Sequence, residues 1–304
     1  MLSLKKIVLS ALLLFFAKIT YPQQYVDLIK INYSTTPFNR YDSLKNINTQ
    51  VQEFSTDITL PIVIDSSKTI LTGMLFEQIS LMNTPRSAEY YYTINPKIGL
   101  NLNHSSKITG TYLFLPKISS DLRNSINKNS FQFGGIVLLS IKKSHLFKYR
   151  LGIYANQELF GPFVVPLFGF YYLSNNKKME ANFTLPVNAD LNYKISDNIR
   201  IGLAFNAIVK SFLASSMNNN TLTKTTNELF AYFQFYSPKY RILVEPQIGH
   251  TIGRSFRMYN SDDKLDFKLS AFEFGSEQKQ LNFDFKDGYV FKIRLVYRFV
   301  VDNN

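Results

Sequence analysis

The stretch YVFKIRLVYRFV, Tyr289 to Val300, constrains the fold more than any other part of the chain. Tyr289, Phe291, Ile293, Leu295, Tyr297 and Phe299 fill the odd positions, and Lys292, Arg294 and Arg298 stand between them. A strand turns successive side chains to opposite faces, so one face is wholly apolar and the other carries positive charge. The wall of a membrane β-barrel wants that arrangement, with lipid outside and a polar lumen inside. An Arg or Lys at the midplane of the lipid face would cost about 2–4 kcal/mol. That sign assigns Phe291, Ile293, Leu295 and Tyr297 to lipid, Phe299 to the periplasmic interface, and Lys292, Arg294 and Arg298 to the lumen.

The same period recurs. In Tyr90–Asn103, Tyr90, Tyr92, Ile94, Ile98, Leu100 and Leu102 oppose Tyr91, Thr93, Asn95, Lys97, Asn101 and Asn103. Lys148–Asn156, Arg200–Lys210 and Arg241–Gly249 repeat the pattern. The inward set that this predicts is Lys97, Arg150, Arg200, Arg241, Glu245, Arg294 and Arg298. Phe131–Ile141 and Leu229–Tyr236 are apolar on both faces, which leaves open an apolar lumen for hydrophobic solutes beside a plugged barrel or an anion-favouring pore, and Glu77 interrupts either stripe of Leu71–Ile79.

Connections alternate in length. Short polar turns fall at Asp65–Lys68, His104–Lys107, Lys142–His145, Asn175–Lys178, Ser196–Asn198 and Ser237–Lys239. Long polar loops are expected at Thr35–Thr49, Lys117–Ser130, Ser211–Asn227 and Arg254–Gly288, the last with hairpin or strand-extension character over Ser255–Phe285. Outer-membrane barrels sort their connections this way, with the short turns periplasmic. The expected fold is therefore all-β: a transmembrane, antiparallel, up-and-down β-barrel of roughly 12 strands, with 10 to 14 admissible because single-chain barrels close on even numbers. Met179–Tyr193 reads as one long strand kinked at Pro186 or as two, and an internal repeat favours a single strand leading into a short turn. Its TLP (Thr184–Pro186) repeats the TLP at Thr59–Pro61, and each is expected to bend its strand.

Met1–Gln24 has the layout of a cleaved secretory signal, with Lys5 and Lys6 before an apolar run, Ile7–Ala17, too short to span a bilayer as a helix. The expected organisation is a signal peptide over 1–23 and one barrel domain over 24–304. The formal charge is +12, of which Lys5, Lys6 and Lys18 supply three, leaving +9 on the mature chain. In an exported chain that charge suits anionic lipopolysaccharide or an anion-favouring lumen better than nucleic acid.

Four features carry a resemblance: the signal-like Met1–Gln24, the opening YVDLIKINYSTTPFNRY (Tyr25–Tyr41), the TLP strand, and the final FKIRLVYRF (Phe291–Phe299). Together the chain resembles an outer-membrane barrel family of the Bacteroidetes type, a domain-of-unknown-function family. The final strand is similar to the signal read by the barrel assembly machinery. The resemblance implies the outer membrane of a diderm bacterium, with lipid, lipopolysaccharide and that machinery as partners, and it implies no activity.

Little points to catalysis. The histidines are His104, His145 and His250, and there is no cysteine. His104 and His145 fall in short turns. His250 lies near Thr251 and Ser255, but no spacing places an acid beside it. No metal ligand set and no cofactor loop is expected. Asp262, Asp263, Asp266 and Asn260 lack the ligand spacing of a calcium loop. The functional expectation is a non-enzymatic barrel: a passive channel or transporter for a small solute, or an envelope structural protein whose inward charges plug the lumen. The alternatives are a lipid- or lipopolysaccharide-modifying hydrolase using His250, and a soluble periplasmic β-protein.

Overall fold

The computed structural model describes residues 25–40, 48–84, 87–124, 126 and 130–300. The signal-like leader lies outside them. The strands are β1 (Tyr25–Arg40), β2 (Asn48–Val63), β3 (Lys68–Thr84), β4 (Ser87–Asn103), β5 (Ile108–Ser120), β6 (Phe131–Lys142), β7 (Phe147–Glu158) and β8 (Gly161–Leu173). They continue with β9 (Met179–Leu185), β10 (Asn188–Lys194), β11 (Ile199–Ala214), β12 (Asn220–Ser237), β13 (Ile242–Tyr259), β14 (Phe267–Leu269), β15 (Phe272–Phe274) and β16 (Tyr289–Val300).

Each of β1 to β13 pairs antiparallel with its neighbour, and β16 closes the ring by pairing with β13 on one edge and β1 on the other. The closed wall has 14 strands, the upper end of the expected range rather than 12. Closure removes the sheet edges that would leave backbone groups unpaired in lipid. β14 and β15 form a small hairpin in the connection between β13 and β16.

Alternation decides the faces. Ile98, Leu151, Leu203, Phe233 and Ile293 are exposed on the outside, while Tyr91, Thr93, Phe230, Tyr232, Glu245 and Gln247 are buried on the inside. The six short turns share one rim with the chain ends. The other rim does not hold long loops alone: it carries the longer connections after β1, β5 and β13 together with the short turns after β7, β9 and β11.

Several expectations are corrected. Met179–Tyr193 is not one kinked strand: Pro186 and Val187 form the turn between β9 and β10, seven residues each. The TLP at Thr59–Pro61 does not bend its strand, because β2 keeps register with β3 from Gln50↔Met82 to Val63↔Thr69. Pro61 lies beyond the end of the β1–β2 ladder at Ile58, an edge position where a missing N–H is tolerated. Ser211–Asn227 is not a long loop but the tips of β11 and β12 joined by a short turn. Arg254–Tyr259 likewise continues β13, across a bulge opposite Thr225 and Asn227. Gly253 takes a positive φ of 67° at that bulge, a conformation open to glycine at little strain.

Candidate functional site

The site lies inside the barrel, where the tips of β11 and β12 leave the wall. The β10–β11 ladder ends at Asn188↔Asn206, followed by one bond from the Ala207 N–H to the Val187 carbonyl. Beyond it β11 has no wall neighbour on that edge, yet it stays paired to β12 along its whole length, and β12 stays paired to β13 as far as Thr221↔Tyr259, so the β11–β12 hairpin turns inward with the end of β13 beside it. Ser211, Phe212, Leu213 and Ala214 are each no more than 3% exposed. A wall strand would show every second one of them to the outside. Both faces of the hairpin are covered.

On one face Phe212, Ala214 and Leu222 pack with Val51, Ile79, Leu81 and Tyr91 of β2 to β4. Along its free edge, Leu213 bridges to Ser120 of β5, the Asp121 N–H donates to the Leu213 carbonyl at 3.0 Å, and Gln132 Nε2 donates to the Ser211 carbonyl at 3.1 Å. These contacts explain the apolar inward residues of β2, β3 and β6, which a water-filled lumen would not call for.

Three carboxylates tie the hairpin down. Lys210 Nζ pairs with Glu77 of β3, and Lys224 Nζ sits 2.6 Å from both oxygens of Glu53 on β2. Glu158, at the end of β7, accepts from Ser211 N at 2.9 Å, Ser211 Oγ at 2.6 Å, Lys117 Nζ at 2.6 Å and Asn156 Nδ2. Lys117 and Glu158 are both buried. An acid with that many donors is fixed in place, and it fixes the backbone of Ser211 with it.

The hairpin tip is held from the rim. Asp121, just past β5, accepts from Ser215 Oγ, from Ser216 N at 2.9 Å and from Ser216 Oγ at 2.7 Å. Burial alone would raise this carboxyl, but the hydrogen bonds from Ser215, Ser216 and the Arg123 N–H outweigh it and hold the carboxyl below its ordinary value. A depressed carboxyl lends stability that is present above its unfolded value, about 3.9, and is lost as pH falls through the lower folded value. Protease cleavage at the Met217–Asn219 turn is therefore expected to rise on acidification below about pH 4. Asp121→Asn is expected to raise cleavage at neutral pH and flatten that dependence.

Toward the rim with the chain ends, charged side chains fill the interior. Lys97 pairs with Asp57 and donates to Thr59 Oγ1 at 2.7 Å. Arg150 donates to Asn182 and to Thr184 Oγ1 at 3.3 Å. Arg200 reaches Glu180 at 3.0 Å and Asn192 at 2.6 Å. Glu245 accepts from Gln234, Gln247 and Arg294. Arg298 grips Asp27 with two nitrogens, at 2.6 and 3.2 Å, and lies over the Tyr25 ring. Tyr25 and Tyr171 both donate to Glu180 at 3.1 Å, so β1 and β9 touch across the lumen.

Arg241 stands apart from this set. It lies in the turn before β13 with a positive φ of 56°, its guanidinium 5.1 Å from the Phe299 ring centre. On the outside, Phe291, Ile293, Leu295 and Tyr297 are exposed, and Phe299 is half-buried. His250 points outward with its ring against Tyr289, away from the interior carboxylates. His104 hydrogen-bonds Tyr112 Oη at 2.8 Å.

A family model described as a domain of unknown function (DUF6268) matches residues 19–298. The chain belongs to the DUF6268 family. Among curated proteins none matches the sequence. Among solved structures, the DUF6268 barrel is similar to the Pseudomonas putida toluene transporter TodX (TM-score 0.41, 9% identity, 93% of each chain). It is also similar to the NanC porin (0.35, 8%, covering 88% of this chain and 98% of that one) and to the CymD monoaromatic hydrocarbon channel (0.34, 10%, 90% and 89%). The fold assignment itself rests on the strand register.

Sequence reasoning missed the acidic half of the DUF6268 interior: Asp27, Glu53, Asp57, Glu77, Glu158 and Glu180. Glu77 and Lys210 lie 133 residues apart, and Glu53 and Lys224 lie 171 apart, so no local spacing links them. The one available signal was Glu77 itself, an acid breaking an apolar stripe.

Proposed function

We propose that this protein is an outer-membrane channel whose pore is held shut by the inward β11–β12 hairpin. The observation that carries the reading is the way that hairpin is fastened. Its inner end is tied by Glu53, Glu77 and Glu158 to Lys224, Lys210, Ser211 and Lys117. A permanent plug gains more from apolar packing than from buried ion pairs, whose desolvation offsets their attraction. Ionic fastenings regain hydration when they part, which lowers the cost of opening, while the packing of Phe212, Ala214 and Leu222 favours the closed state. The arginines nearer the chain ends are each matched by an acid or amide, which favours a wall-bracing role for them over an anion-selective path.

The membrane assignment follows from the outer face. A closed antiparallel wall with Ile98, Leu203, Phe233 and Ile293 exposed is suited to lipid and poorly suited to water. That weighs against a soluble periplasmic protein, and the outward His250 gives no support to a hydrolase.

The test is conductance of the refolded protein in planar bilayers. The intact protein is expected to be silent or to open briefly. A variant in which residues 209–225 are replaced by a short turn is expected to conduct steadily. In cell envelopes the protein is expected to fractionate with the outer membrane and to resist carbonate extraction. A silent trimmed variant that still shows the folded barrel's mobility would overturn the channel reading.

A further inference from the structure

The wall is incomplete on one side. At about 3.3 Å per residue, the seven residues of β9 or β10 extend about 23 Å. Tilted at about 40°, they rise about 18 Å against an apolar band of about 25 Å. Their turn at Pro186 and Val187 therefore stops short of the far rim. On one side β8 continues alone above Phe168, its last residue paired with β9. On the other, β11 has left the wall.

β14 takes the vacant place beside β8, but only in part. It pairs in parallel at Lys268↔Phe163 and Leu269↔Val164, with bonds from Ser270 N to the Val164 carbonyl and from Leu265 N to the Phe160 carbonyl. Among the described residues, Val165, Pro166 and Leu167 have no strand partner on that edge. Pro166 has no N–H to leave unpaired, as suits an edge.

We propose that this seam is a side door: a small apolar solute passes through it between the lumen and the outer leaflet, with the β14–β15 hairpin as the panel that closes it. This rests on the channel reading and adds the substrate class and the exit. The β8 side of the seam is apolar inside, with Phe160, Phe163, Val165, Leu167 and Leu265 buried in one cluster, and the one charge that the panel turns onto it, Lys268, lies over the Phe160 ring and is matched by Glu273 at 2.6 Å. A sugar or an ion crossing beside that cluster would lose most of its hydration with only the already paired Lys268 and Glu273 to replace it, whereas a hydrocarbon keeps contact with the apolar β8 side. The outer side matches lipid, because Phe272 and Phe274 of the panel are exposed. The panel is also the weakest join in the wall: two register pairs hold β14 to β8, while β11 and β12 pair over sixteen residues. It comes away without breaking the barrel.

The chain has no cysteine, so a disulfide can be placed cleanly. Val164→Cys with Leu269→Cys joins the panel to β8. Uptake of the apolar dye N-phenylnaphthylamine is measured in cells producing the full chain, where lipopolysaccharide limits background entry, with the disulfide formed and reduced. A second variant replaces residues 262–280 by a short linker, which removes the panel. Oxidation is expected to abolish the protein-dependent uptake and reduction to restore it, while panel removal raises uptake above that of the intact protein. Protein-dependent uptake that ignores both the disulfide and the panel would overturn the side door and leave the channel standing. Conductance of hairpin-trimmed protein without apolar uptake in any variant would overturn the substrate class. Neither conductance nor uptake in any state would overturn the channel reading and the door with it.

Discussion

Glu158→Gln is expected to destabilise the barrel by about 3–5 kcal/mol, the range for removing one partner of a buried ion pair. The carboxylate serves four donors at once: Lys117, Asn156 and both the N–H and hydroxyl of Ser211. Glutamine is neutral, so Lys117 is left as an uncompensated buried charge, and the grip on Ser211 loosens. Chemical denaturation in detergent, followed by loss of the compact electrophoretic form, measures the effect. Because the penalty comes from the orphaned lysine, adding Lys117→Met should recover most of it. If the double variant is as unstable as the single one, the buried pair is not what fastens β11 to β7.

Glu77→Lys is expected to give the largest functional change. It sets two ammonium groups against each other where Lys210 now meets a carboxylate. At about 4 Å and an effective dielectric of about 20, the repulsion is about 4 kcal/mol. That shifts the closed-to-open ratio roughly a thousandfold. A nearly silent protein then becomes one with long openings in a planar bilayer. Glu77→Lys with Lys210→Glu restores the opposite charges and is expected to restore silence. The swap separates a specific tie between β3 and β11 from general damage to the wall, which reversal of both charges would not repair.

The parts of this fold legible in the sequence are those that the two faces of a closed wall dictate. Tyr90–Asn103 and Phe291–Tyr297 alternate because one face turns outward and the other toward the polar groups of the interior. The six short turns are legible because a tight reversal needs polar and turn-forming residues whatever lies inside the barrel. The hairpin is hidden for the opposite reason. Ser211–Asn227 reads as a polar loop, but its Ser211, Ser215, Ser216 and Lys224 find partners inside the protein rather than in water. SFLA, Ser211 to Ala214, shows no alternation because both of its faces are buried.

The apolar double faces were the visible trace of this feature. Phe131–Ile141 carries Ile136 and Leu138 inward against the cluster beneath the seam. β3 carries Ile79 and Leu81 inward against the hairpin. Alternation identified Lys97, Arg150, Arg200, Arg294 and Arg298 as one set, and in the structure each is matched by an acid or amide from another strand. Arg241 shared their period but sits one residue outside β13, where the turn sets its direction. The two TLP stretches differ through their neighbours: Pro61 lies within a continuous β2–β3 ladder, whereas Pro186 lies at the tip of a short hairpin.

In the proposed channel the β11–β12 hairpin occupies the lumen and closes it. Leu213 and Ser120 are register partners across the interior, in a chain without cysteine. Single-channel recording of Glu77→Lys carrying Leu213→Cys and Ser120→Cys, before and after reduction, tests that claim directly. Silence is expected while the disulfide holds the hairpin to β5, and sustained openings once it is reduced. Equal conductance in the two states, with the disulfide shown to form, would contradict that closure.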